Sequence, residues 1–189
     1  FDPSERSHTL DVLGFEKQIV LGTFAFHQIA HENDKKALEI GARVYNRAMG
    51  RFCAHDSRLL AGGYVPLSLG PETAGTLLDE AFNDGCYTVM IDTNEANPEA
   101  ISFTHPDFDP VWARFADQDV PVILHIAVNG HYDPVSPSFK NNGRVSVALG
   151  GDAPDTNLGL VAMNNSVELF LSAMIFDEVF ERHDKLRCL

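Results

Sequence analysis

Short, continuously apolar runs alternate with longer segments of helical periodicity along most of the chain. Continuous apolar runs are typical of parallel strands covered on both faces. The segments between them are long enough for right-handed crossover helices. The predicted strands are 18–23, 58–67, 86–92, 120–128 and 185–189, and the predicted helices are 33–56, 70–85, 109–119 and 165–182. This order predicts an α/β fold with a parallel sheet, and periodicity alone leaves open a closed (β/α)₈ barrel or an open doubly wound sheet.

The longest predicted helix, 33–56, has a recognisable start and an apolar repeat. Asn33 or Asp34 is suited to cap its first turn, because both side chains accept hydrogen bonds from free backbone N–H groups. Apolar residues at roughly helical spacing predict the face that packs on the sheet. These residues are Ala37, Ile40, Val44, Met49 and Phe52.

Charge and composition limit the classes of partner. The formal net charge of −13 argues against nucleic acid and against an anionic membrane surface, since both attract cationic proteins. No apolar run approaches the ~20 residues that span a bilayer, and the polar first residues do not resemble a signal peptide. Cysteines without a CxxC spacing predict free thiols in a reducing cytoplasm. They are Cys53, Cys86 and Cys188.

A histidine interrupts the fourth apolar run near its end. His125 lies between Leu124 and Ile126, and a segment rich in Gly, Pro and Asn follows at 129–158. Connections of that length are usually functional, and loops after the carboxyl ends of parallel strands form the active-site face of α/β folds. His125 is therefore either a core histidine satisfied by backbone groups or a side chain of a site at that face.

Four stretches of the chain carry a family pattern in the expected order. They are YNRAMGRFCAHDSRLLAGGYVPL, AGTLLDEAFNDGCYTVMI, HPDFDPVWARFADQDVPVILHIAV and SVELFLSAMIFDEVFERHDKLRC. Together they resemble the amidohydrolase superfamily, specifically its branch of metal-dependent hydrolases and decarboxylases related to aminocarboxymuconate semialdehyde decarboxylase. The pattern includes Asp109-Pro110-Val111-Trp112 on a helix, followed by Pro121-Val122 and His125 on the next strand.

The resemblance implies a (β/α)₈ TIM barrel of which residues 1–189 form a single partial domain, about strands 2 to 6, with 129–158 as a long loop on the active-site face. It also implies a divalent metal ion, with zinc as the expected ion and His125 as the ligand that ends strand five. No two of the eight histidines are separated by one residue, so the HxH pair of strand one is absent. The strand-six His and the strand-eight Asp of the family also have no counterpart in this sequence.

Five residues near the predicted mouth of the barrel are candidates for substrate binding. Phe26 and His27 follow the first strand, and an aromatic wall with polar anchors is typical of small-molecule sites. Asp92 ends the strand 86–92, where it would contact substrate or form a turn. Asn129 and His131 come directly after the strand that carries His125.

Two classes of function follow from this combination. The first is a metal-dependent hydrolase or non-oxidative decarboxylase that acts on a small carboxylated substrate. An aromatic acid is one candidate for that substrate, and such an enzyme is compatible with a homo-oligomer. The second is a degenerate barrel that only binds or scaffolds a partner, which the missing HxH favours. An open-sheet nucleotide binder would require a glycine-rich turn after the first strand, and the sequence has none there.

Overall fold

A parallel sheet of four strands forms the centre of the structure. The structure is a computed structural model that describes residues 2–93, 97, 99–125, 135–141, 143, 162 and 164–189. The strands are β1 (Gln18–Val20), β2 (Leu59–Val65), β3 (Cys86–Ile91) and β4 (Ile123–Leu124), and they lie in the sheet in chain order. Parallel neighbours in consecutive order need a crossover between each pair, as in the repeating unit of a barrel.

The sheet continues beyond β4 at the last residues of the chain. Val122 forms a parallel bridge with Cys188, and the N–H of Leu124 donates to the carbonyl oxygen of Leu189 at 2.9 Å. Of the strand predicted at 185–189, these contacts confirm the pairing of the last three residues, whereas Lys185 lies in a turn. The whole sheet is curled into a half-barrel, which confirms the predicted fold class of an incomplete (β/α)₈ barrel.

Helices connect the strands within the described residues. They are α1 (Pro3–Leu13), α2 (Thr23–Ala30), α3 (Lys35–Cys53), α4 (Pro71–Asn83), α5 (Asp109–Gln118), α6 (Pro137–Lys140), α7 (Asn165–Phe176) and α8 (Val179–Arg182). Asp34 caps α3, as predicted, because its side chain accepts from the N–H of Ala37 at 2.8 Å. None of the helices in the described ranges is long and apolar enough to cross a membrane.

Several elements differ from the sequence prediction. The strand predicted at 18–23 ends at Val20, because β1 pairs with β2 only up to Val20 opposite Ala61. The residues after it form α2, and α1 was not predicted at all. The helix predicted at 165–182 is divided into α7 and α8 at Glu178, whose φ of 57° is a left-handed conformation that a continuous helix does not contain.

The face of α3 that packs on the sheet is also different from the predicted one. The buried residues are Leu38, Ala42, Tyr45, Asn46, Met49, Gly50 and Cys53. Ile40 and Val44 are exposed, and only Met49 of the five predicted positions is buried. The prediction followed apolar residues alone, whereas the buried face includes a tyrosine and an asparagine that hydrogen-bond to the sheet.

Helix α5 packs on the sheet through the tryptophan of the family pattern. Trp112 is fully buried, and its indole N–H donates to the carbonyl oxygen of Phe103 at 3.0 Å. The Phe103 ring stacks on Phe170 of α7, with ring centroids 3.9 Å apart. Trp112 therefore fixes the segment between β3 and α5 as well as the helix itself.

Candidate functional site

Side chains from three neighbouring strands and one helix meet at the carboxyl-terminal edge of the sheet. Tyr64 lies near the end of β2, Asp92 follows β3, His125 follows β4, and Phe26 lies on α2 after β1. We call these four residues the mouth cluster. In parallel α/β folds the carboxyl ends of the strands form the face that carries active sites.

Phe26 is the centre of the mouth cluster. Its ring is 1% exposed and contacts Tyr64 edge-on, with centroids 4.9 Å apart. The His125 ring lies on the same phenylalanine, at a centroid distance of 5.2 Å. The imidazole is only partly buried, so it combines an apolar wall with access from solvent. The ring of His125 thus belongs to the mouth and contacts α2 there.

Tyr64 and Asp92 are joined by a short hydrogen bond. The phenol O–H of Tyr64 donates to Oδ1 of Asp92 at 2.8 Å, and both residues are buried, with Asp92 9% exposed. Hydrogen bonds to an ionised acceptor are stronger than neutral ones. The bond therefore orients a carboxylate at the mouth. It also links the ends of the neighbouring strands β2 and β3.

Asn46 of α3 fixes the backbone of Tyr64. Its Nδ2 donates to the carbonyl oxygen of Tyr64 at 3.0 Å, and its Oδ1 accepts from the N–H of Tyr64 at 2.6 Å. Gly63 is required beside it, because a Cβ there would lie 2.8 Å from Oδ1 of Asn46. The dipeptide Gly63-Tyr64 and Asn46 therefore form one unit that sets the direction of the Tyr64 side chain.

Tyr45, one residue earlier on α3, positions the start of α2. Its hydroxyl accepts from the N–H of Gly22 at 2.9 Å, and burial raises its pKa to about 12. The phenol is therefore protonated at any physiological pH. Since α2 carries Phe26, this bond places the centre of the mouth cluster relative to α3.

A second polar link connects the end of β3 to α7. The Thr93 hydroxyl donates to Oγ of Ser166 at 3.1 Å, and both side chains are buried. Thr93 follows Asp92 directly, so this bond restrains the backbone of the carboxylate. The carboxyl end of β3 is thus held on one side by Tyr64 and on the other by α7.

A cleft of about 190 Å³ opens next to Asp92. It lies between the segments that follow β2 and β3, and it includes the start of α3. Its charged and polar lining comprises Lys35, Ser68, Asn97 and Glu99, and its aromatic lining comprises Phe103 and Phe108. A cleft with one cation, carboxylates and phenyl rings is suited to a small ring bearing a polar or acidic substituent.

The structure brings some of the predicted site residues together and places others elsewhere. Phe26, Asp92 and His125 are together in the mouth cluster, whereas His27 is exposed on α2 and forms a 2.8 Å contact with His31. Asn129 and His131 lie outside the described residues. The roles assigned to all of them stay predictions.

Tyr64, Thr93 and Ser166 were not predicted as site residues. Tyr64 had one usable signal: it comes two residues before Pro66, which ends the strand. Ser166 is distant in sequence and no pattern indicated it.

The described residues supply one imidazole and one carboxylate at the mouth. Within those ranges no group of three or more His, Cys, Asp or Glu side chains is placed to hold a metal ion. His125 has the chemistry of a ligand, because a partly exposed imidazole at a strand end can bind through one nitrogen. A complete metal centre would need further ligands from residues other than those described.

The sequence matches no protein-family model and none of the curated proteins, but solved structures match it clearly. An amidohydrolase from Mycobacterium avium subsp. paratuberculosis K-10 is similar with a TM-score of 0.71 and 23% identity, over 99% of this chain and 47% of that one. The 2,6-dihydroxybenzoate decarboxylase from Rhizobium is similar with a TM-score of 0.69 and 20% identity, over 97% and 53%. A dihydroxybenzoic acid decarboxylase from Polaromonas sp. JS666, with bound manganese and the inhibitor 2-nitroresorcinol, has a TM-score of 0.69 and 14% identity, over 97% and 52%.

These matches establish the fold. The neighbours are amidohydrolase-superfamily barrels, and this chain spans about half of their length. The resemblance inferred from the four sequence stretches is therefore confirmed at the level of the fold.

Proposed function

We propose that this chain carries part of the active-site face of a metal-dependent enzyme of the amidohydrolase type, a hydrolase or a non-oxidative decarboxylase. The observation that carries the proposal is the position of His125: its ring lies at the carboxyl end of β4, 5.2 Å from the buried Phe26. Asp92 is at the end of the adjacent strand. An imidazole and an oriented carboxylate at neighbouring strand ends are the groups that ligand binding and proton transfer require.

The proposed substrate is small, carboxylated and aromatic or derived from a ring. Three features support this class: the phenylalanine rings at the mouth and in the cleft, the cation of Lys35 in the same cleft, and the substrates named for two of the similar structures. An apolar wall would bind the ring faces, and Lys35 would pair with the carboxylate.

The metal in this proposal is a divalent cation that polarises a substrate oxygen. His125 would be one of its ligands. Zinc was the ion expected from the sequence, and one of the similar structures contains manganese, so manganese is an equally strong candidate. The residues of this chain would orient the reacting groups. Tyr64 holds Asp92 through the 2.8 Å hydrogen bond, and Asp92 would accept a hydrogen bond or a proton from a substrate hydroxyl.

The proposed cellular compartment and the excluded partners rest on the cysteines and on the net charge. The three cysteines are free thiols, in agreement with a reducing compartment, and we propose the cytoplasm. We further propose that neither nucleic acid nor a membrane surface is a partner, because the net charge is −13.

Metal content by mass spectrometry tests the proposal. The full-length protein is measured after exchange into metal-free buffer, as wild type, as His125→Ala and as His55→Ala. His55 is an exposed histidine and serves as the matched control. We expect a divalent metal in the wild type and in His55→Ala, and its loss in His125→Ala. An unchanged metal content in His125→Ala removes this residue from the ligand set.

An activity assay then separates the two classes of function. Loss of carbon dioxide from hydroxylated benzoates would identify a decarboxylase. A protein that retains its fold but holds no metal and consumes no carboxylated ring substrate would be the degenerate barrel instead. Tyr64→Phe should lower kcat more than it changes KM, because it removes the hydrogen bond from Tyr64 that orients Asp92 and keeps the aromatic wall of the site.

A further inference from the structure

Two histidines one turn apart on α2 face each other through one ring nitrogen each. His27 Nδ1 and His31 Nε2 are 2.8 Å apart, and the ring centroids are 4.6 Å apart. Positions i and i+4 lie on the same face of a helix. His27 is exposed and His31 is partly buried, so the pair can be reached from solvent. The pair is not part of the mouth cluster, although Phe26 is adjacent to it in sequence.

The separation of the two nitrogens is that of two neighbouring ligands on one metal ion. Imidazole nitrogens bind divalent metals at about 2.0–2.1 Å. Two nitrogens at right angles around one ion are then about 2.8–3.0 Å apart, and at the tetrahedral angle they are about 3.3 Å apart. The observed 2.8 Å fits the right angle. Square-planar and tetragonal sites with nitrogen ligands are typical of Cu²⁺ and Ni²⁺.

The charge around the pair also favours a cation. Both rings lie at the carboxyl end of α2, with His31 as its C-cap, where the helix dipole is negative. Glu32 and Asp34 follow directly in the sequence, and Glu32 accepts from the N–H of Asp34 at 2.9 Å. The whole chain carries a net charge of −13. The negative end of α2 and the Glu32 carboxylate are therefore the local features that favour a cation, while Lys35 and Lys36 follow in the sequence at the start of α3.

We propose that His27 and His31 form a second metal site, specific for divalent ions that accept two nitrogens at a right angle, Cu²⁺ first and Ni²⁺ next. In the metal-free state one neutral ring donates its N–H to the other. On binding, that proton moves to the outer nitrogen of its ring, and both inner lone pairs bind the ion. Water completes the coordination. The proposal does not depend on the proposed enzymatic function.

A copper titration tests this site. The full chain is prepared without a histidine tag, stripped with chelator and titrated with Cu²⁺, in the wild type and in the His125→Ala background. Binding is measured by calorimetry, and the number of coordinated imidazoles is counted by pulsed electron paramagnetic resonance. We expect the His125→Ala protein to bind one ion through two equivalent imidazole nitrogens, and the wild type to bind that ion together with any held at the His125 site.

Substitutions assign the two ligands. His27→Ala and His31→Gln should each weaken Cu²⁺ binding at least tenfold, because each leaves a single imidazole. His8→Ala removes another exposed histidine, on α1, and should leave the affinity within twofold. Circular dichroism confirms that the variants retain the fold. The site is refuted if His31→Gln binds copper as the wild type does. A spectrum of the His125→Ala protein with one imidazole or none also refutes it.

Discussion

The Asn46 side chain makes two hydrogen bonds to the backbone of Tyr64 on β2, where β1 no longer pairs with that strand. Replacing Asn46 should therefore strongly lower the free energy of unfolding. β1 pairs with β2 only up to Val20 opposite Ala61, so the backbone of Tyr64 extends beyond the partner strand on that side. The Asn46 amide takes that place, at 2.6 Å from the Tyr64 nitrogen and 3.0 Å from its oxygen. The residue is 1% exposed, so water does not reach these groups.

Asn46→Leu keeps the approximate volume of the side chain and removes both hydrogen bonds. The buried N–H and the buried carbonyl oxygen of Tyr64 then lose the side-chain amide of Asn46. Each such group costs about 1–3 kcal/mol, so the expected loss in the free energy of unfolding is about 2–6 kcal/mol. Since natural domains have about 5–15 kcal/mol in total, the variant should be close to unfolding at 37 °C.

Urea denaturation followed by fluorescence of the single tryptophan measures this loss. Asn83→Ala is the matched control: Asn83 is exposed at the end of α4, and its replacement should change the free energy of unfolding by about 0.5 kcal/mol or less. The reasoning is refuted if Asn46→Leu loses no more than Asn83→Ala at an unchanged m-value.

Three further predictions concern packing, thiol reactivity and acid. Gly50→Ala would press a Cβ against the backbone carbonyl oxygen of Asp84, directly after α4, and should destabilise by about 3 kcal/mol. Gly75→Ala, with its nearest atom at 3.4 Å on an arginine side chain, should stabilise by about 0.5–1 kcal/mol, and thermal unfolding distinguishes the two variants. Ellman's reagent should label neither Cys53 nor Cys86 at pH 8 until the chain unfolds, because both thiols are buried and burial raises their pKa to about 11 and about 12. The Arg58 guanidinium holds the pKa of Asp56 well below its usual range. The ionised Asp56 therefore stabilises the fold above the unfolded pKa of about 4, and this stabilisation is lost as the pH falls further. The difference in urea midpoint between the wild type and Asp56→Asn should thus narrow from pH 5 to pH 3.

The fold was largely predictable because the apolar runs of parallel strands are distinctive. Four strands and most of the connecting helices were predicted from these runs and from caps such as Asp34. The helix α2 was not, because TFAFHQIA continues the apolar run of β1 and has no capping side chain at Gly22. In the structure the pairing of β1 with β2 stops at Val20 opposite Ala61, and the chain then enters α2.

The site was predictable only in part, and the reason is physical. Asp92 ends one apolar run and His125 interrupts another near its end, and both are signals that a single sequence contains. The partners of these residues come from elements distant in the chain, such as Tyr64 for Asp92 and Ser166 for Thr93. A hydrogen bond between residues 28 or 73 positions apart leaves no periodic trace, so only the fold reveals it.

Helix α2 depends on contacts with the rest of the molecule for its position. Those contacts include Phe26 of the mouth cluster, so the position of α2 also determines the packing of that cluster. An isolated helix of eight residues is unstable in water, and this one has no side-chain cap at its start. It is held by the Tyr45 hydroxyl at Gly22 and by the ring of Phe26 against Tyr64 and His125. The same helix presents His27 and His31 to solvent on its last turn. Because a ligand that binds an ordered element stabilises its ordered state, a metal ion on the histidine pair would favour the conformation in which Phe26 packs against His125. The two sites would then be coupled through one short helix, without any contact between their ligands.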